Sequence, residues 1–147
     1  MTPPASIHAC ALIVDEAGLL IRGASGAGKS SLVLALIAAA QAQGRFARLV
    51  ADDRVLLRLA GGRILAAPHP RIAGQIEERG SGIRCMPHEG QARLTHIIDL
   101  LPQPGRLPAA EEASARLEGI EGIALIRIAL VVGLPSEVAA RQILAKI

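Results

Sequence analysis

The segment Gly23-Ala24-Ser25-Gly26-Ala27-Gly28-Lys29-Ser30 constrains this chain more than any other. It reads G-x-x-x-x-G-K-S, with the apolar run Gly18-Leu19-Leu20-Ile21 ahead of it and Ser31-Leu32-Val33-Leu34-Ala35-Leu36-Ile37 behind. A strand that feeds a glycine-rich turn and then opens a helix is the context a phosphate-binding loop requires. Glycines let successive backbone N–H groups approach an anion, and the helix N-terminus adds favourable potential. In such a loop Lys29 reaches the β- and γ-phosphates and the Ser30 hydroxyl ligates Mg²⁺, so residues Gly23 through Ser30, with Ser31 behind them, are the candidate nucleotide contacts. The chain has only two lysines, Lys29 and Lys146, beside fourteen arginines, so a lysine at this position is not a compositional accident. Lys29 is expected to be an exposed loop residue that adds little to the core.

Bulk properties narrow the remaining classes. A chain of 147 residues, 51% of them hydrophobic, is expected to form one domain (1–147) with a substantial core. No uninterrupted apolar run approaches a membrane span, because the longest, Ile123 to Leu134, is broken by Arg127. The N-terminus lacks the basic region of a secretory signal, and Cys10 and Cys85 follow no ligand or disulfide spacing. A cytoplasmic location is expected, with no membrane partner. The pI near 9.5 could point to nucleic acid. However, the arginines are scattered and Phe46 is the sole aromatic, so no stacking platform exists and no nucleic-acid partner is expected. Both cysteines read as small apolar residues.

Along the chain, Ser6 to Val14 predicts a buried strand, Asp15 to Gly18 a turn, and Leu19 to Arg22 the returning strand. His8, at the start of the first strand, reads on its own as a half-buried strand histidine. Lys29 to Gln43 is a helix, apolar around most of its circumference. Ala47 to Ala51 is a core strand ending in Asp52-Asp53, two of only four aspartates in the chain. A carboxylate at a strand's carboxyl end, across from a phosphate loop, is where a metal ligand or catalytic base belongs. Without that loop the pair would be an ordinary turn. Val55 to Leu59 and Ile64 to Ala66 form a glycine-turned hairpin, and Ile72 to Ile76 suggests a short turn of helix. Glu77-Glu78-Arg79-Gly80-Ser81-Gly82-Ile83 reads by default as a solvated turn. Leu94 to Leu101 and Ile123 to Val132 are further strands, joined across 102–116 by a surface connection. Ser136 is expected to cap a last helix running from Val138 to Ile147.

Taken together, the phosphate loop, the strand ending in Ala51-Asp52-Asp53 and the segment Glu77-x-Arg79-Gly80-x-Gly82-Ile83 resemble the catalytic domain of the HPr kinase/phosphorylases. His8 matches the histidine that family carries ahead of its loop. The resemblance spans nearly the whole chain and looks like a short proteobacterial form without the family's N-terminal domain. It implies an α/β fold: a P-loop domain with a mixed sheet, similar to phosphoenolpyruvate carboxykinase. It implies an ATP- and Mg²⁺-dependent serine kinase acting on the phosphocarrier HPr, and a reverse reaction that removes the phosphate with inorganic phosphate. It also implies a homo-oligomer, by analogy with the family's hexamer. Position by position, Asp52 matches the base that takes the serine proton, while Ser30, Asp53 and Glu77 match the metal side. His8 matches a residue near the base, and Arg79, Gly80 and Gly82 match the segment that handles phosphoserine. The chain departs from the family pattern at Ser31, Glu78, Ser81, Arg84 and Cys85. Two other readings accommodate the phosphate loop: a small-molecule or nucleotide kinase, and a nucleotide-responsive regulator with little transfer activity.

Overall fold

The computed structural model describes residues 5–102, 114–115, 123 and 125–147. The connection expected across 102–116 lies almost entirely outside them. Among the described residues the chain is a mixed α/β fold. Its strands are β1 (Ala5–Ile7), β2 (Cys10–Val14), β3 (Ala17–Arg22), β4 (Ala47–Ala51), β5 (Val55–Ala60), β6 (Arg63–Pro68), β7 (Gln75–Glu78), β8 (Gly82–Cys85), β9 (Ala92–Leu101), β10 (Ser114–Ala115) and β11 (Leu125–Val131). The helices are α1 (Lys29–Ala42) and α2 (Ser136–Leu144).

Nine strands join one sheet, in the order β1-β5-β6-β9-β3-β2-β4, with β11 on β9 and β10 on β11. β9 runs parallel to β3 and β11 and antiparallel to β6. β7 and β8 form a separate hairpin.

Side-chain alternation along these strands builds two cores. Cys10, Leu12, Val14, Leu19, Ile21 and Leu49 face α1 and α2, where Leu32, Val33, Leu36, Ile143 and Leu144 meet them. Ala11, Leu20 and Val50 face the other way, onto Val55, Leu57, Ile64 and Ala66 of the β5–β6 hairpin. β9 serves both cores by changing parity. Leu94 and Ile97 belong to the second core, Ile98 and Leu100 to the first. A bulge makes the change: Gly18 pairs with Leu94, but Leu19 pairs with His96. Gly18 is required there, since a Cβ would stand 2.1 Å from the Arg93 carbonyl oxygen.

Several boundaries differ from expectation. The first strand does not run through from Ser6 to Val14. It stops at Ile7 and restarts at Cys10, because β1 pairs with β5 while β2 pairs with β3 and β4. His8 therefore sits at a switch between neighbours. Ala17 and Gly18 belong to β3, leaving Asp15-Glu16 as the turn. The helical turn expected at Ile72 to Ile76 occurs instead as a 3₁₀ turn at Pro70–Ile72, started by the fixed φ of Pro70 and by the His69 ring accepting from the Arg71 N–H. Ile76 is in β7 and fully buried. Ser136 is not a cap: Pro135 holds that position, Ser136 is the first helical residue, and its side chain makes no capping bond.

The bulge at Gly18 yields a direct prediction. Gly18→Ala should lower the unfolding free energy in urea by about 2–3 kcal/mol, since the obstructing atom is backbone and cannot swing aside. An unchanged midpoint would contradict the close approach.

Candidate active site

The expected strand–loop–helix is present: β3 ends at Arg22, residues 23–28 turn, and α1 opens at Lys29. Gly28 is the helix cap at φ 94°, a left-handed conformation that a side chain resists, and Gly26 has φ 82°. No side chain caps this helix and its first turn has no acidic residue. Its leading N–H groups are therefore left for an anion.

Lys29 departs from expectation. It is buried, 7% exposed, and its Nζ donates to the carbonyls of Gly23 at 2.9 Å and Ala24 at 3.1 Å. The ammonium satisfies the loop's own carbonyls, so the side chain braces the turn.

At the carboxyl end of β4, Asp52 and Asp53 part company. The Arg54 N–H donates to the Asp52 carbonyl at 2.7 Å, and Asp53 adopts φ 66°. This is a γ-turn pattern with a non-glycine residue at positive φ, a conformation that stores strain. The reversal sends the two carboxylates into different surroundings. Asp52 is buried at 7% exposure, and its Oδ1 accepts from Ser30 Oγ at 2.6 Å and Cys10 Sγ at 3.1 Å. Its Oδ2 accepts from the Glu77 backbone N–H at 2.9 Å. Asp53 is exposed, its side chain at 70%, and its Oδ1 lies 2.5 Å from His8 Nε2. Burial pushes the Cys10 thiol up to about 12, the Asp53 backbone N–H opposes this, and the Asp52 charge adds to it. Cys10 is thus a protonated donor.

The segment expected as a solvated turn is a hairpin. Gln75–Glu78 and Gly82–Cys85 are its arms, Arg79 to Ser81 its tip, and Gly80 and Gly82 at φ 86° and 81° turn the chain. The Ser81 N–H closes the turn on the Glu78 carbonyl, and Glu78 pairs with Arg84 across the arms. Asp52 holds the first arm of this hairpin, near its tip, through the Glu77 amide.

These parts surround one open cleft of about 340 Å³. Of the residues nominated from sequence, His8, Ser25, Gly26, Gly28, Lys29, Ser30, Ser31, Asp53, Glu77 and Arg79 line it. Gly23, Ala24 and Ala27 shape the loop behind, and Asp52 sits beneath, bonded to Ser30. Among the described residues no three His, Cys, Asp or Glu side chains gather as a metal cage.

Two features escaped sequence reading. Cys10 lines the cleft and bonds Asp52, although it had read as core filler. The available signal was its place two residues after His8. The other is Asp99, an aspartate inside an apolar strand. It accepts both Nε and Nη2 of Arg22 at 2.8 Å and Nε of Arg127 at 2.7 Å. Arg127 is the residue that interrupts the longest apolar run. Burial alone would push the Asp99 carboxyl up, but the two guanidinium groups outweigh it and hold it below the usual carboxylate range. The bidentate bond fixes Arg22, the last residue before the loop.

Residues 1–88 match the profile of the HPr Serine kinase C-terminal domain. The chain belongs to that family. It is 37% identical over 82 residues to the HPr kinase/phosphorylase of Mycoplasma mycoides subsp. mycoides SC, covering 56% of this chain and 24% of that protein. It is 36% identical over 100 residues to the HPr kinase/phosphorylase of Clostridium tetani, covering 68% and 30%. The chain therefore spans under a third of the length of these relatives. The structure of the Hpr(Ser) kinase/phosphatase from Coxiella burnetii superposes with a TM-score of 0.74 at 27% identity, over 97% of this chain and 89% of that one. The mixed sheet expected from sequence is shared with that structure. No helix among the described residues is long and apolar enough to cross a membrane.

The Asp99 network carries a pH signature. Its native pKa is depressed, so its contribution is complete above the ordinary value of 3.8 and is lost as pH falls through the depressed native value. Asp99→Asn should cost about 2–3 kcal/mol at pH 7, below the range for a fully buried pair because both arginines reach water. The gap to wild type should close in acid. A gap that persists unchanged as the pH falls through the native titration of Asp99 would show that the loss is not electrostatic.

Proposed function

We propose that this chain is an ATP-dependent serine kinase whose acceptor is an HPr-type phosphocarrier, and that it shares the P-loop architecture of phosphoenolpyruvate carboxykinase. The observation that carries this reading is the exposed His8–Asp53 pair facing the uncapped N-terminus of α1 across one cleft, in a member of this family. A phosphoryl donor and a proton acceptor would then meet at the same place, as transfer to a hydroxyl demands.

The division of labour follows from burial. A general base needs a free lone pair within reach of the attacking hydroxyl. Asp52 has its oxygens engaged by three donors and lies under the cleft, whereas Asp53 lines it. In this reading Asp53 is the base and His8 orients it, the reverse of the assignment that resemblance alone implied. The backbone N–H groups of Gly23–Ser30 hold the β- and γ-phosphates. Lys29 joins them by exchanging the two loop carbonyls for phosphate oxygen.

Ser30 and Asp52 would hold Mg²⁺. The absence of a three-residue cage among the described residues suits this ion, which takes one or two protein ligands and completes its shell with phosphate and water. When bound, Mg²⁺ supplies neutralisation of charge on the β- and γ-phosphates.

The acceptor serine oxygen attacks the γ-phosphorus as its proton passes to Asp53. The new P–O bond forms while the bond to the ADP oxygen breaks. Arg79, at the hairpin tip on the cleft wall, would hold the transferred phosphoryl group bidentately. In the reverse direction inorganic phosphate attacks phosphoserine, releasing pyrophosphate and returning the proton to the serine oxygen.

Single-turnover transfer from γ-labelled ATP to a purified HPr-type carrier tests the reading. Asp53→Asn should retain nucleotide affinity and lose about 10²–10⁴-fold in rate. Asp52→Asn should instead raise the Mg²⁺ concentration needed for half-maximal rate. Loss at Asp52 with normal transfer at Asp53 would restore the opposite assignment, and no label on the carrier from wild type would overturn the kinase reading.

A further inference from the structure

The Asp52-Asp53 turn is strained, yet it sets which carboxylate faces the cleft. Something must hold Asp53 at φ 66° against relaxation into an extended chain, in which both side chains would move. The Arg54-to-Asp52 backbone bond closes the turn but does not anchor it to the sheet. One side chain reaches it from the sheet. Cys10, 1% exposed at the start of β2, donates its thiol hydrogen to Asp52 Oδ1. β2 is paired on both sides, with β3 and β4, so the sulfur is carried on a rigid part of the sheet.

We propose that Cys10 is a positioning residue: its thiol, bonded to the Asp52 carboxylate, pins one side of the strained turn and keeps the two carboxylates apart. This rests on the roles given above to Asp52 and Asp53. Cys10 touches neither acceptor nor phosphate in this account and acts only through Asp52. Its position two residues after His8 adds a second effect. One short segment at the junction of β1 and β2 carries both the partner of Asp53 and the thiol donor to Asp52.

The sulfur also explains why a buried polar contact is tolerated here. Cys10 belongs to the core under α1 as an apolar group, beside Leu12 and Leu32. It still provides a weak donor to a carboxylate that Ser30 and Glu77 do not saturate. Valine removes the donor and is larger by about one methyl group, and serine keeps the donor at smaller size.

The experiment uses the full chain in a Cys85→Ser background, which leaves Cys10 as the single thiol. The Raman S–H stretching band should lie at the hydrogen-bonded position and move to the free-thiol position in Asp52→Ala. Cys10→Val should keep the wild-type melting temperature within a few degrees, lose about tenfold in transfer turnover, and leave nucleotide KM within about twofold, the loss matching one hydrogen bond to a charged group. Cys10→Ser should recover turnover to within about threefold. A free-thiol band in the parent protein overturns the proposal. So does wild-type turnover in Cys10→Val, or equal losses in the valine and serine variants. If the parent transfers no phosphate to any carrier, the kinase reading fails, while the Raman band still decides whether the thiol holds Asp52.

Discussion

The carboxylate of Asp52 joins the parts of this site. Ser30 reaches it from the first turn of α1, Cys10 from β2, and the Glu77 amide from the first arm of the β7–β8 hairpin. Three segments far apart in sequence are thereby fixed to the end of β4. A hydrogen bond to a charged group is worth about twice a neutral one, and a buried carboxylate that loses its donors is costly. The arrangement of loop, turn and hairpin around the cleft therefore depends on this group remaining satisfied. Asp53 can stay exposed because its neighbour supplies the attachment.

The sheet provides the second condition. β9 is the strand on which β3, β6 and β11 converge, and its bulge lets it serve both cores. Asp99 on β9 grips Arg22 bidentately, through Nε and Nη2, at the point where β3 becomes the loop. The glycine loop is thus held at both ends: by an ion pair at its start and by the packed helix α1 behind it. Lys29, folded onto the Gly23 and Ala24 carbonyls, closes the loop from within.

Most of the frame was legible in the sequence, for identifiable reasons. The helix after the loop and the strand Ala47–Ala51 are bounded by strong local signals, glycine at the turns and aspartate at the strand end, and their limits agree within a residue. What escaped depends on contacts between distant segments. The interruption at His8 follows from a change of pairing partner, which no local pattern reports. Gln75–Glu78 became a strand because it pairs with Gly82–Cys85, and its charges hid that alternation. Lys29 is buried because backbone carbonyls of the loop receive it, a partner invisible to side-chain patterning. Cys10 read as apolar and is apolar on one side, but its sulfur meets a carboxylate forty-two residues away. Two adjacent carboxylates leaving an extended strand point to opposite sides. The γ-turn decided in which directions.

The central claim is that burial has divided two adjacent aspartates between the metal side and the acceptor side of one reaction. Crystals grown with Mn²⁺ and a non-hydrolysable ATP analogue test it most directly, because the anomalous signal of manganese locates the metal independently of the protein density. The account predicts Mn²⁺ on the Ser30 and Asp52 side of the cleft, with Asp53 still paired to His8 and free toward the γ-phosphate. Mn²⁺ bound by Asp53 and Glu77, with Asp52 turned toward the γ-phosphate, would contradict it.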